Sequence, residues 1–225
     1  STYAQEKHKI EVRMPEAIRY IREHHLNDHF DGDIDEVGVI CQGGLYNATL
    51  RALVQAGLAD AAGNSRIPIL ALNVTYPLVA DEISDFCVGK SAIFMVEEGQ
   101  PDYLEEAVNV ILRKADLQTK VIGKGPLPMA GEYTAEVVLR GLSAFLSQTK
   151  PKGVAMEAAT LPIRELDRYK AQAAELLGDL LPARPPTFCT GCPERPLFSA
   201  IRILEKELGP THVSCDIGCH TFSTL

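Results

Sequence analysis

Val37-Gly38-Val39-Ile40-Cys41-Gln42-Gly43-Gly44 is the stretch on which the fold turns. Val37 to Cys41 run without a polar interruption, which marks a strand buried on both faces. Gln42-Gly43-Gly44 then turns the strand into a segment with Leu50, Leu53, Val54 and Leu58 at helical spacing, which Asn47 is placed to cap. A glycine pair opening a helix can cradle phosphate, but the G-x-G-x-x-G spacing is not met, so the pair reads as a plain strand-to-helix turn.

The same unit recurs downstream. Ile67 to Val74 reads as a second strand, and Tyr76-Pro77 leads into a helix carrying Ile83 and Phe86. Ala92 to Val96 reads as a third, followed by a helix opened by Pro101-Asp102, with Leu104, Ala107, Val108, Ile111 and Leu112 as its stripe and Arg113 and Lys114 at its C-terminus. Lys120 to Ile122 reads as a fourth strand, and after a glycine-rich loop from Gly123 to Gly131 a last helix spans Glu132 to Leu146. Strands alternating with helices of this length predict a parallel, doubly wound α/β sheet, closing a domain over residues 1–148. Before the first strand, Ala17, Ile18, Ile21 and Leu26 make a helical stripe. His24, His25 and His29 accompany it; His25 and His29 share a helical face without a thiol or carboxylate motif, which favours solvated residues over metal ligands. Glu97 and Glu98 at a strand end are candidates for acid/base work, but adjacent strand residues face opposite ways, so hydrogen bonding across a domain interface suits them better.

Composition narrows the function. With 46% hydrophobic residues in 225, the chain can bury a sizeable core. Its net charge of −8 and scattered basic residues lack the footprint of a nucleic-acid binder. No apolar run approaches the ~20 residues that span a bilayer, and the first residues have no signal-peptide pattern, so a soluble cytoplasmic protein without membrane contact is expected. Of six cysteines, Cys41 and Cys87 sit among apolar neighbours and read as buried structural thiols. The other four fall in the last 37 residues and make a local site rather than a disulfide framework.

Residues 149–183 form a linker with one helix between Ile163 and Leu181. Residues 184–225 then open a second, incomplete domain. Phe188-Cys189-Thr190-Gly191-Cys192-Pro193-Glu194-Arg195-Pro196 precedes a helix with Leu197, Ile201, Leu204 and Leu208 as its buried stripe, stopped by Gly209-Pro210. His212 to Ile217 reads as a strand ending in Asp216-Ile217-Gly218-Cys219, so the ligand-binding carboxyl edge of a sheet is expected there. Three readings of the thiols stand open. Cys189, Cys192, Cys215 and Cys219 have 22 residues between the pairs, near the spacing of zinc or iron-sulfur sites. A redox Cys-x-x-Cys is the second reading, and two turns lining a ligand are the third.

Taken together, Phe188 to Pro196 and Cys215-Asp216-Ile217-Gly218-Cys219-His220 resemble the start of the diphosphate-binding domain of the thiamine diphosphate-dependent 2-oxoacid:ferredoxin oxidoreductases, the alpha subunit of the indolepyruvate type above all. Leu72 to Leu78 and Phe94 to Pro101 resemble the domain that precedes it in that family, which is similar to the transketolase C-terminal domain. The resemblance implies an enzyme that oxidatively decarboxylates indolepyruvate or other aryl pyruvates to acyl-CoA. Its implied cofactors are thiamine diphosphate, Mg2+, and 4Fe-4S clusters held outside this chain. The implied partners are a beta subunit, ferredoxin, coenzyme A and a 2-oxo acid. Cys189, Gly191, Cys192, Pro193, Asp216, Ile217, Gly218 and Cys219 are the implied cofactor-binding residues. Glu194 departs from the pattern, which has His after Cys-Pro. Having no initiator Met and no downstream metal motif, the chain reads as a fragment of a longer polypeptide, inactive alone. The alternative is a four-cysteine metal module on an α/β scaffold.

Overall fold

The computed structural model describes residues 1–99, 101–180, 187–214 and 218–219. They fall into two compact units, Ser1–Ala171 and Gln172–Leu225.

In the first unit the apolar runs become strands β2 (Val37–Gln42), β3 (Ile69–Leu72), β4 (Ala92–Val96) and β5 (Lys120–Ile122), all parallel. A short strand, β1 (Asp28–Phe30), pairs antiparallel with β3, and the sheet order is β1-β3-β2-β4-β5. The doubly wound α/β reading therefore holds, with an antiparallel edge strand added. The central strands are buried along their length, and successive residues face opposite helix layers, as the pleat requires. Val37, Val39, Cys41, Phe94 and Val96 face α3 (Tyr46–Gln55) and α6 (Ala135–Thr149); Ile40, Leu70, Leu72, Ile93 and Met95 face α4 (Ala80–Cys87) and α5 (Tyr103–Lys114). Two helix layers thus sandwich the sheet, and both Cys41 and Cys87 are fully buried within it, where burial pushes each thiol up to about 12.

The chain begins as a helix, α1 (Thr2–His8) and α2 (Met14–Glu23), joined by a wider turn over Lys9–Arg13. Pro15 has no N–H to donate back along the helix, which accounts for the widening. Of the expected stripe, only Ile21 is fully buried. Because the helix ends at Glu23, His29 lies on β1, and the shared helical face expected for His25 and His29 does not exist. Asn47 likewise does not cap α3: a 3-10 turn over Gly43–Leu45 starts that helix at Tyr46, leaving Asn47 inside it.

Helix α7 (Met156–Leu177) follows α6, with Ala159 buried in the core of the first unit. Arg140 of α6 pairs with Glu136 and with Asp167 of α7, while Lys170 donates to both Glu136 oxygens at 2.7 Å. The Lys170 hydrogen bond holds Glu136 below the ordinary carboxylate range, and the Arg140 hydrogen bond does the same for Asp167. Depressed carboxylates stabilise the docked helix above their unfolded pKa, and the contribution is lost as pH falls through the folded one. In the second unit α8 (Glu194–Leu208) starts directly after Pro193, which makes no side-chain capping bond, and Gly209 ends it. Among the described residues no helix is long and apolar enough to cross a membrane.

The core yields a direct expectation. Phe94 and Phe145 are fully buried with ring centroids 5.2 Å apart, between the sheet and α6. Phe94→Ala is expected to cost about 3–5 kcal/mol in urea unfolding, whereas the exposed Tyr169→Ala is expected to change stability by less than about 0.5 kcal/mol.

Candidate functional site

The strand order places a topological switch point between β2 and β4, where chain connections leave in opposite directions. Gln42 ends β2, Glu97 and Glu98 follow β4, and Lys124 follows the neighbouring β5. Gly43 is fixed by proximity: a Cβ on it would lie 2.2 Å from Asn73 Oδ1 and 3.1 Å from its Cα. Gly43 thus serves a close approach of two strand ends, whereas an added Cβ at Gly44 would meet nothing within 4 Å.

Glu97 is 4% exposed, and its carboxylate accepts the N–H of Leu104 at 2.8 Å and of Glu105 at 3.0 Å. These N–H groups belong to the first turn of α5, which Asp102 does not cap with its side chain. A glutamate from the preceding strand therefore does the work of a cap and neutralises the positive end of the helix. Glu105 in turn accepts N–H groups of Gly123 at 3.2 Å and Lys124 at 2.8 Å. Burial pushes the Glu105 carboxyl above the ordinary range, and those two N–H groups oppose the shift.

Lys124 closes the circuit. Its Nζ donates to the Glu97 carbonyl at 2.7 Å, the Gly99 carbonyl at 2.8 Å and Tyr133 Oη at 2.8 Å. The Tyr133 hydroxyl donates to the Pro128 carbonyl, and its backbone N–H donates to Glu98. Gln42 Oε1 accepts the Glu98 N–H at 2.9 Å. What remains beside this network is a cleft of about 450 Å³ lined by Thr75, Tyr76, Glu98 and Tyr103 among others. Glu97 and Glu98 do face different partners, as their adjacency on a strand requires, but those partners lie within one unit rather than across a domain interface.

The cysteine turn lies in the second unit. Cys192 N–H donates to the Cys189 carbonyl at 3.1 Å, Gly191 takes φ 79°, and the Arg195 N–H donates to the Cys192 carbonyl at 3.3 Å. Phe188 stacks on Phe198 with centroids 5.4 Å apart, which holds the approach to the turn against α8. Cys189 is exposed and Cys192 half-buried, both with free thiols. Cys215, Asp216, Ile217 and His220 lie outside the described residues; Gly218 and Cys219 are described and exposed. Among the described residues no three His, Cys, Asp or Glu side chains come together as a metal site.

Two expectations for this unit are corrected. The α8 stripe is not buried: Leu197 is 58%, Leu204 50% and Leu208 76% exposed, because no described layer of this unit packs on it. Nor do Thr211 to Ser214 form a strand. The described residues offer no second strand of this unit to satisfy their backbone groups, and Thr211 instead bonds Glu205 through its N–H and hydroxyl.

Comparison with known proteins gives these two regions a context. A family model described as the indolepyruvate ferredoxin oxidoreductase middle domain matches residues 27–133. Residues 27–133 are thus similar to the middle domain of the indolepyruvate ferredoxin oxidoreductase family. Indolepyruvate oxidoreductase subunit IorA of Methanothermobacter thermautotrophicus is 31% identical over 220 residues, covering 95% of this chain and 31% of that protein. IorA of Thermococcus kodakarensis is 30% identical over 215 residues, covering 93% and 30%. The chain thus spans under a third of the length of these relatives. A solved chain of a split-gene transketolase, in an inactive beta4 tetramer, aligns at 16% identity over 62% of this chain and 41% of its own, with a TM-score of 0.37.

The middle domain takes in all five strands and ends at Tyr133, the last member of the Lys124 network. Sequence reading does not single out Glu105, Lys124 or Tyr133, because most of their partners are backbone groups, which leave no side-chain motif.

Removing Glu97 tests the network. Glu97→Ala leaves the buried Leu104 N–H and the half-buried Glu105 N–H without these acceptors, and a loss of about 1–3 kcal/mol in urea unfolding is expected. Glu132→Ala, an exposed change beside the same loop, is expected to stay within about 0.5 kcal/mol.

Proposed function

We propose that this chain is part of a thiamine diphosphate-dependent oxidoreductase that converts indolepyruvate or other aryl pyruvates to acyl-CoA, with ferredoxin as electron acceptor. The observation that carries the reading is the extent of the likeness to subunit IorA. It reaches well past the middle domain at residue 133, covering 84–95% of the chain in six relatives. In this reading residues 184–225 open the cofactor-binding domain, a beta subunit completes the enzyme, and the setting is the cytoplasm.

The described turn suits such a cofactor. An added Cβ at Gly191 would meet nothing within 4 Å, so its backbone stands open to a ligand, and Cys189 is exposed beside it. Cys189, Gly191, Cys192 and Pro193 would line one side, and Asp216, Ile217, Gly218 and Cys219 the other. When bound, thiamine diphosphate supplies the nucleophilic carbon and the electron sink that decarboxylation of a 2-oxo acid requires. This chain's residues would position it, the left-handed Gly191 letting the backbone approach closely, while the oxygen ligands of Mg2+ are assigned to a motif outside these 225 residues. The 4Fe-4S clusters that take the electrons are assigned to other parts of the enzyme, since no ferredoxin-type cysteine run occurs here.

The test uses a polypeptide of the relatives' length carrying this chain, with its partner subunit. Aryl pyruvate and coenzyme A are expected to drive reduction of a viologen dye only when thiamine diphosphate is present. Gly191→Val is expected to raise the cofactor concentration for half-maximal rate by about tenfold or more. Dye reduction indifferent to the cofactor would contradict the proposal. So would one zinc per chain that disappears when Cys189, Cys192, Cys215 and Cys219 are replaced, which is the outcome of the metal-module alternative.

A further inference from the structure

The described thiols fall into two environments. Cys41 on β2 and Cys87 on α4 are buried on opposite faces of the sheet, and burial pushes each up to about 12, so thiolate is scarce and access is blocked. Cys189 and Cys192 are free, accessible and joined by one tight turn.

We propose that Cys189 and Cys192 form a reversible dithiol–disulfide site that exchanges with low-molecular-weight disulfides of the glutathione type. The bond from the Cys192 N–H to the Cys189 carbonyl makes Cys189–Cys192 a four-residue turn. Such a turn holds its end Cα atoms within about 7 Å, and a disulfide spans about 4.4–6.8 Å between Cα atoms. The backbone is already arranged for closure. Gly191 at the third position holds the left-handed φ of 79°, so the turn forms without side-chain strain. Cys192 is anchored to α8 by the Arg195 N–H and by Pro193 at the cap, and Cys189 is held near it by the Phe188–Phe198 stack. Both sulfurs are thus kept on one short loop, with the outer one open to solvent.

The exchange balances. The Cys189 thiolate attacks one sulfur of the small disulfide, forming a mixed disulfide and releasing one small thiolate. The Cys192 thiol gives up its proton and attacks the Cys189 sulfur, releasing the second small thiol. In sum, the two cysteines lose two electrons and two protons, and one small disulfide becomes two thiols. The proposal goes beyond the cofactor reading and does not require it.

The experiment uses the 225-residue chain without cofactor. It is equilibrated in buffers of graded oxidised-to-reduced glutathione ratio, quenched with N-ethylmaleimide and read by peptide mass spectrometry. The expected result is a peptide carrying both Cys189 and Cys192 that loses two hydrogens as the ratio rises and regains them as it falls, while Cys41 and Cys87 stay reduced. Cys192→Ser is expected to stop at a glutathione adduct on Cys189. Gly191→Val, which strains the turn, is expected to lower the closed-to-open ratio by about tenfold in the same buffer. Independent alkylation of both sulfurs at every ratio would overturn the proposal, as would separate glutathione adducts on each or pairing of Cys189 with Cys215 or Cys219.

Discussion

A carboxylate as buried as Glu97 has to find partners for both oxygens inside the protein, and among the described residues it does so by holding the first turn of α5 against the end of β4. The consequences run outward from that contact. With α5 set in place, Glu105 reaches the chain leaving β5, and Lys124 can turn back onto the carbonyls of Glu97 and Gly99. The loop that ends at Tyr133 is then fastened to both. The carboxyl edge of the sheet is therefore closed by its own groups. In open α/β sheets that edge, with a helix N-terminus pointing at it, is the usual place for an anionic ligand. Here the helix end already carries an anionic side chain, which turns the edge of the middle domain into a supporting structure. Cofactor chemistry is accordingly assigned in our proposal to the cysteine turn and not to this edge.

The sheet beneath that edge owes its shape to burial on both faces. Because β2 and β4 lie side by side and are apolar at consecutive positions, each needs a helix layer above and below, and the chain provides α3 and α6 on one side and α4 and α5 on the other. A one-residue slip in either strand would exchange the two layers, so the register is strongly determined. The family match covers the strands but stops at residue 133, while α6 beyond it contributes Phe145 and Leu146 to the same core. The physical domain is thus larger than the stretch by which the family is recognised.

Much of this was legible in the residues. Four strands follow from apolar runs, and the helices between them from stripes such as Leu104, Val108 and Leu112, because burial and periodicity act over short stretches. Burial of Cys41 and Cys87 followed from their neighbours in the same way. β1 was not legible: Asp28-His29-Phe30 has no apolar alternation, and it is ordered by pairing with β3 and by Asn73, whose side-chain amide donates to Asp28 and to the Leu26 carbonyl. The roles of Glu97, Glu105 and Lys124 depend on backbone groups brought near by the fold, which no local pattern encodes. In the cysteine tail the sequence signals a helix correctly, yet its amphipathic stripe says nothing about what covers it, and the described residues leave it exposed. The family resemblance rests on the motif residues themselves, and so survives where the burial argument does not.

The claim that Glu97 closes the carboxyl edge is tested most directly by amide hydrogen exchange of the native chain, resolved to Leu104 and Glu105. First-turn amides of a helix ordinarily lack acceptors and exchange quickly. The account predicts that these two exchange as slowly as the interior amides of α5, at a rate set by opening of the domain. Rapid exchange at both, with the centre of α5 still protected, would contradict it.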